Sequence, residues 1–371
     1  MAFWRIFHKR RIFKKLYPKN PPQSIVDYLA FNMKKGPVTI KDIARELNVS
    51  VSTVSRALAD NPLVKLETRI AVKELAKKQN YRPHFTALSL RSNKTKTLGI
   101  IIPQLVHEFF SMVIRGIEDH AYANGYNVII SSSHESYDRE VLDTKALING
   151  RVDGLMACIS KETKDYEHFK EFVDRSIPLV FFDCICDEIE APKVVLDDFD
   201  AGYQATKHLI QQGCSSIAYV GGPINLLINR DRLAGYNKAL SEANLNTKDD
   251  WIIHCDSGDY EEGRQKSESL INSKEIDGLF AATDMLAIGA MKNAKKAGLK
   301  LPEDLLVVGF SNWSIGSLYE PSLSTMSQPG YEMGLKAAEL LIRQIDNPEQ
   351  TITETFVLKS ELIVRESSMT D

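Results

Sequence analysis

The stretch Val38-Thr-Ile-Lys-Asp-Ile-Ala-Arg-Glu-Leu-Asn-Val-Ser-Val-Ser-Thr-Val-Ser-Arg-Ala-Leu58 decides how the first part of this chain is read. Thr39 and Asp42, three residues apart, have the spacing of a capping box, with Asp in the place of Glu or Gln. A first helix is predicted over about Ile40 to Leu47, with Ile43 and Leu47 on one face. Asn48 stands where a left-handed C-terminal cap is expected. Ser50 is placed to cap a second helix, Val51 to about Ala59, which turns Val54 and Leu58 inward. A third helix follows over roughly Glu67 to Gln79, with Ile70 and Leu75 as apolar positions and Asn80 at its end.

Two short helices joined by a tight turn and braced by a third describe a helix-turn-helix. The second helix carries Val51, Ser52, Thr53, Ser55 and Arg56 on its outer side. Hydroxyls of this kind reach phosphates or base edges, and Arg pairs bidentately with guanine. On pattern alone, a plain three-helix bundle with a polar surface fits as well.

Charge supports the nucleic-acid reading. The chain has 371 residues and a net charge of −3, but residues 1–96 carry +15 and residues 97–371 carry −18. A basic end on an acidic body points to a nucleic-acid or membrane-surface arm. Hydrophobic residues make up 43% and charged residues 26%, a globular balance that excludes disorder, collagen and coiled coil for the bulk. No run approaches the roughly 18 apolar residues of a membrane span, and the apolar, basic first eleven residues are not expected to be a secretory signal, because no apolar core with a small-residue cleavage site follows them. The five cysteines, an odd number set mostly in apolar stretches, predict a reducing cytoplasm. Cys184-Ile-Cys186 reads as strand packing rather than a zinc site, and no metal site or cofactor is expected.

From Leu98 on, apolar runs alternate with amphipathic stretches. Leu98–Ile102, Val128–Ile130, Gly154–Ala157, Leu179–Phe182, Ile217–Val220, Leu279–Ala282 and Leu305–Val308 read as buried strands. Helical stretches fall near 110–124, 138–149, 201–212, 230–243, 260–272 and 284–297. This alternation means parallel sheets covered by helices. Asp153-Gly-Leu-Met-Ala157 and Asp277-Gly-Leu-Phe-Ala281 repeat one strand motif, which implies two similar α/β lobes. No dinucleotide fingerprint, Walker-A loop, nucleophile elbow or paired metal-spaced histidines occur, so a non-enzymatic binding body is expected.

The stretch from Val38 to Leu58, with Tyr81-Arg-Pro83, closely resembles the headpiece of the LacI/GalR family of bacterial transcription regulators. The resemblance implies that Val51, Ser52 and Arg56 read bases and that Thr39, Ser50, Thr53 and Thr68 contact the DNA backbone or cap helices. Asn48 replaces a common Gly, and Lys65 a common Ser. His84-Phe-Thr-Ala-Leu-Ser-Leu-Arg91 corresponds to the family's hinge helix, with Leu90 as the wedge that unstacks a base step in the minor groove. There, His84 and Leu88 depart from the usual Asn and Arg. Residues 1–37 have no counterpart and form a basic extension, with Met33 as the expected true start.

The body resembles the family's effector-binding core, which shares the type I periplasmic-binding-protein fold. The resembling stretches are Val195-Leu-Asp-Asp-Phe-Asp-Ala-Gly202, Arg232-Leu-Ala-Gly-Tyr236, Ala281-Ala-Thr-Asp284, Val308-Gly-Phe310 and Leu323-Ser-Thr-Met-Ser-Gln-Pro329. The implied organisation is a headpiece over 38–83, a hinge and linker over 84–97, and a core over 98–371. Within the core, the first lobe takes about 98–196 and 325–355, and the second takes about 197–324 and 356–371.

By resemblance the effector sits between the lobes. Arg232 and Asp284 match its principal contacts, with Asp183 and Asp197 behind them and Phe110 and Tyr260 as aromatic walls. Carboxylates and Arg grip vicinal hydroxyls while an aromatic covers a sugar's apolar face. Core packing of Phe110 and an interlobe ion pair between Arg232 and Asp284 are the plainer alternatives. Ser311-Asn-Trp313 and Thr283 depart from the family pattern. The implied function is a DNA-binding repressor of a near-palindromic operator, a homodimer or dimer of dimers, controlled by a carbohydrate-like effector. The rival readings are control by a partner protein and a cytoplasmic solute-binding protein with a basic end.

Overall fold

The computed structural model describes residues 38–81, 94–350 and 352–369, in two compact units divided between Asn93 and Lys94. The basic extension over 1–37, Arg82-Pro83 and the hinge segment with Leu90 lie outside the described residues.

The headpiece contains α1 (Ile40–Glu46), α2 (Val51–Leu58) and α3 (Leu66–Lys78). Asp42 accepts hydrogen bonds from the Thr39 backbone N–H at 2.9 Å and the Thr39 hydroxyl at 2.6 Å, which fixes the start of α1. Asn48 adopts φ 51°, the left-handed turn that lets α2 leave at an angle. Ser50 Oγ accepts from the Thr53 N–H at 3.1 Å and caps α2. Lys65 precedes α3 with no side-chain cap. Ile43, Val54, Ala57, Val72, Leu75 and Ala76 form the small core. Ile70, one of the two apolar positions read in this helix, is 49% exposed. The buried stripe of α3 runs Val72, Leu75, Ala76, and two residues before Val72 lies about 200° round the helix.

The core is two α/β lobes. The first sheet has the order β11-β5-β4-β3-β1-β2 and is parallel throughout. Its strands are β1 (Thr97–Ile102), β2 (Asn127–Ser132), β3 (Gly154–Ala157), β4 (Leu179–Phe182), β5 (Lys193–Leu196) and β11 (Thr355–Leu358). Helices α4 (Glu108–Ala123), α5 (Tyr137–Asn149) and α6 (Glu167–Asp174) alternate with its first four strands. The second sheet has the order β12-β10-β9-β8-β6-β7. Here β6 (Ile217–Gly221), β7 (Ile252–His254), β8 (Gly278–Ala281), β9 (Leu306–Ser311) and β10 (Ser324–Ser327) run parallel, and β12 (Leu362–Ile363) closes the edge antiparallel. Helices α7 (Asp198–Gln211), α8 (Leu227–Glu242), α9 (Tyr260–Ser273), α10 (Asp284–Lys296) and α11 (Ser314–Leu318) belong to this half, and α12 (Gly330–Asp346) packs on α4 in the first. Among the described residues no helix is long and apolar enough to cross a membrane.

The chain passes between lobes three times, after β5, after β10 and after β11. This corrects the expected boundaries at 324/325 and 355/356. Ser324–Ser327 is a strand of the second sheet and Thr355–Leu358 a strand of the first, so each crossing comes a few residues later. Both strands are short, and Thr355–Leu358 has its parallel neighbour, β5, far back in the sequence.

Helices α7 and α8 pack closely through Gly202 and Gly235. A Cβ on Gly202 would strike the Arg232 carbonyl, and one on Gly235 would strike the Phe199 carbonyl. This near-contact of backbones sets where the Arg232 side chain begins.

Candidate functional site

The headpiece presents one polar helix face. Val51, Ser52 and Arg56 are exposed on α2, and Val51 alone leaves an apolar side chain 41% exposed there. Ser50 Oγ also lies 2.8 Å from both Ser52 Oγ and Thr53 Oγ1, so three hydroxyls are held in one cluster at the helix start. Thr39 is exposed ahead of α1, and Thr68 is half-buried in the first turn of α3. Asp60, by contrast, is tied up at the far end of α2. Lys73 Nζ reaches both its carboxylate oxygens at 2.5 Å, which holds its carboxyl below the usual range. The acid nearest the end of α2 is thus turned towards α3, and the outer face keeps hydroxyls, one aliphatic and one guanidinium.

The second site is a cavity of about 370 Å³ in the core, lined from both lobes. Its walls are loops that follow strands: Pro103 after β1, Ile159 after β3, Asp183 after β4, Gly222 after β6 and Thr283 after β8. Carboxyl ends of parallel strands are where open α/β sheets place ligands.

Arg232 organises the second lobe's wall. Its Nε donates to Asp198 Oδ1 at 2.7 Å, its Nη1 donates to the Ala282 carbonyl at 2.9 Å, and its guanidinium carbon lies 3.6 Å from the Phe310 ring centroid. Its Nη2 is buried with no partner among the described residues. With Arg232 only 3% exposed, a guanidinium nitrogen without a partner calls for an acceptor. Burial pushes the Asp198 carboxyl up to about 7, against the pull of Arg232.

His107 and Trp313 face each other from opposite lobes, their rings edge to face at 4.2 Å. Both line the cavity, and His107 Nδ1 and Trp313 Nε1 are likewise unpartnered among the described residues. Burial and the nearby Arg232 lower the His107 pKa to about 4, so the ring is neutral near pH 7. Three further contacts join the lobes, the first being Asn225 Nδ2 donating to the Lys161 carbonyl at 2.8 Å. Glu108 accepts from the Ser314 N–H and hydroxyl, both at 2.9 Å, and Lys161 Nζ donates to the Asp256 carbonyl at 3.0 Å.

Of the expected effector residues, Phe110, Asp183 and Arg232 line the cavity and Asp197, Tyr260 and Asp284 do not. Asp197 caps α7, accepting from the Asp200 N–H at 3.0 Å, and its neighbour Asp198 is the residue that pairs with Arg232. Tyr260 opens α9 and packs on the second lobe's apolar core. Asp284 is 1% exposed behind the wall. It accepts from Thr325 Oγ1 at 2.6 Å and from the Trp313 N–H at 2.6 Å, so it positions Trp313 rather than facing the cavity. The alternative ion pair of Arg232 with Asp284 does not form, because Asp198 takes that place. Phe110 is both wall and core, 6% exposed.

His107, Trp313 and Asp198 were not singled out as effector residues. The departure at Ser311-Asn-Trp313 was a signal for Trp313, and the pair Asp197-Asp198 was one for Asp198, though sequence does not tell which of two adjacent acids points inward.

The two units have separate counterparts among known proteins. Residues 39–84 match the family model of bacterial regulatory proteins, lacI family, and residues 95–363 match that of periplasmic binding proteins and sugar binding domain of LacI family. Catabolite control protein A of Priestia megaterium is 34% identical over 322 residues, 86% of this chain and 96% of that protein. The ribose operon repressor of Halalkalibacterium halodurans is 33% identical over 334 residues, 89% of this chain and 97% of the relative. Among solved structures, a transcriptional regulator CelR–cellobiose complex matches with a TM-score of 0.68 at 26% identity, covering 89% of this chain and 99% of that one. An outward-facing recognition helix and a two-lobed cleft thus occur in one chain that resembles transcription regulators along nearly its whole described length, and the chain belongs to the LacI family of bacterial regulatory proteins.

Proposed function

We propose that this regulator is a repressor whose hold on a near-palindromic operator is set by a small carbohydrate-like molecule bound between the core lobes. The observation that carries the effector reading is the unpartnered Arg232 Nη2 at the cavity wall. Around it stand aromatic faces from Phe110, His107 and Trp313 and carboxylates from Asp183 and Glu135. Ring faces with paired donors and acceptors suit a ligand with vicinal hydroxyls. The cavity volume falls at the low end of small-molecule sites. A ribose operon repressor and a cellobiose-bound regulator among the similar proteins support the carbohydrate class.

Val51, Ser52 and Arg56 would read base edges, and Thr39, Ser50, Thr53 and Thr68 would seat the headpiece on phosphates. A homodimer, alone or paired into a dimer of dimers, matches the two-fold symmetry of a palindrome. The effector acts on the interlobe contacts Glu108–Ser314 and Lys161–Asp256 by changing the angle between lobes. A coupling of about 1–3 kcal/mol switches operator affinity roughly five- to 150-fold.

Selection of DNA from a random library by the purified protein, at stated salt, tests the first half. An enriched palindrome whose capture is lost with Arg56→Ala is expected, and no enrichment with or without a sugar pool refutes it. Using that palindrome, a sugar panel should shift affinity, and Asp183→Asn should bring the ratio with and without sugar to one. A ratio unchanged in that variant discards the cleft assignment.

A further inference from the structure

Three potential metal ligands meet behind the first lobe's side of the cleft. Cys158 follows β3, and Asp183 and Cys184 follow the adjacent parallel strand β4, with Ala157 opposite Phe181 in register. All three are buried, at 0%, 7% and 9% exposure. Asp183 Oδ2 lies 3.8 Å from Cys158 Sγ and 3.7 Å from Cys184 Sγ. The three ligand atoms all lie within 4.8 Å of one another. The Cys184-Ile-Cys186 pair noted in the sequence is therefore not the one the fold brings to this place. Cys184 meets Cys158, from the neighbouring strand.

The two carboxylate–thiol separations, 3.8 and 3.7 Å, match those of a coordination shell. A tetrahedral centre with metal–sulfur bonds of about 2.3 Å and metal–oxygen bonds of about 2.0 Å sets its donors roughly 3.5–3.8 Å apart. Asp183 and Cys184 also line the cavity while Cys158 lies behind them, so a fourth position opens on the cleft. Three protein ligands with one open place is the arrangement of an accessible zinc site. Arg232, whose charge acts on this carboxylate, is itself bonded to Asp198 at 2.7 Å. The plainer account is that the two thiols only donate weak S–H bonds to a buried carboxylate, and the experiment below separates the two.

We propose that Cys158, Asp183 and Cys184 bind a thiophilic divalent cation of the zinc class, with the fourth coordination position facing the effector cleft. The cation would take up Asp183, a residue the small-molecule reading also uses. Its effect on effector affinity rests on that reading, whereas the site itself does not.

The full-length protein, reduced and kept free of oxygen, is titrated with Co²⁺. The expected result is a one-to-one complex with thiolate-to-cobalt charge-transfer absorption in the near ultraviolet and tetrahedral visible bands, bleached by Zn²⁺. Cys158→Ser, Cys184→Ser and Asp183→Asn should each weaken binding by at least about tenfold, and Cys214→Ser, in the other lobe, should leave it unchanged. Circular dichroism of each variant checks that it is folded. Absence of the charge-transfer band, or a band that persists in the folded Cys158→Ser/Cys184→Ser double variant, overturns the proposal. The titration uses neither DNA nor sugar. A protein that responds to sugar without forming the cobalt complex refutes the metal site alone. A cobalt complex in a protein unresponsive to every sugar leaves the metal site standing and refutes the effector reading.

Discussion

The two lobes share a parallel-sheet plan, and Asp183 of the first is treated unlike the other buried acids, including its own lobe's Glu140, which accepts from the Ser160 N–H and the Thr163 hydroxyl, both at 2.7 Å, and lies 2.9 Å from His168 Nε2. In the second lobe Asp198 is paired with a guanidinium at 2.7 Å, and Asp284 accepts a hydroxyl and a backbone N–H, each at 2.6 Å. In the first lobe the side chains within hydrogen-bond reach of Asp183 are two thiols, at 3.7 and 3.8 Å. Charge-assisted N–H and O–H bonds are short and strong, while S–H donors are weak. The second lobe's acids are therefore satisfied before any ligand arrives, and that wall still offers two donors unpartnered among the described residues, Arg232 Nη2 and Trp313 Nε1. The first lobe's acid keeps capacity for further donors. If that contrast is right, damage to the second lobe's acids should show chiefly as lost stability, and damage to Asp183 as lost binding.

The largest effect is expected from Arg232→Ala. It leaves Asp198, 5% exposed, without its counter-charge and removes the cation from the Phe310 face. Breaking a buried pair from one side costs about 3–5 kcal/mol. Urea unfolding of the core should show a loss of that size, and a loss below about 1 kcal/mol would mean that the second lobe is no better satisfied than the first. Arg232→Ala is consequently a poor probe of effector contact, since reduced response would follow from instability alone.

Next comes Gly235→Ala. The added methyl meets the Phe199 carbonyl and forces α8 off α7, at about 1–3 kcal/mol for overpacking. Because the Arg232 backbone packs on Gly202 from the same helix, this variant also shifts the guanidinium. Both a lower denaturation midpoint and a weaker sugar response are expected. Unaltered stability would show that the helices have room to part.

Asp284→Asn tests the same lobe by pH. Burial raises the Asp284 pKa to about 7 from 3.8. The native state then binds the proton more tightly than the unfolded chain, so this group's favourable contribution is complete below pH 3.8 and is lost as pH rises through about 7. Relative to Asp284→Asn, the parent core should gain stability as pH falls from 8 to 5. The difference in slope is at most about 1.4 kcal/mol per pH unit. Parallel pH profiles for the two proteins would remove Asp284 from the account.

Legibility from sequence followed the range of the interactions involved. In the headpiece, Thr39–Asp42, Asn48 and Ser50 act within three residues of themselves, and all were readable. In the core, strands buried on both sides, such as Leu179–Phe182, announce themselves by composition. Lys193–Leu196, Ser324–Ser327 and Leu362–Ile363 do not, because they span only two residues or carry Lys, Ser and Thr in place of an apolar run. Helix α12, Gly330–Asp346, keeps a clear helical period in Met333, Gly334, Ala337, Ala338, Leu341 and Ile345, so it was legible, though it is absent from the expected helices. The cleft is harder still. Strand ends located Asp183, but inward and outward neighbours such as Asp198 and Asp197 differ only by one helical step of about 100°.

The smallest change in stability, and the sharpest test of the contrast, belongs to Asp183→Asn. Asn keeps the volume and an acceptor for the two thiols while removing a charge that burial already disfavours. The unfolding free energy should shift by less than about 1 kcal/mol. Calorimetry with an active sugar should nevertheless show affinity lost, because an amide replaces the one wall acid that had weak internal partners. A destabilisation like that of Arg232→Ala would place Asp183 among the structural acids and erase the distinction between the lobes. Retained stability with lost affinity would place ligand capture on the first lobe, with the second serving as the rigid surface on which it closes.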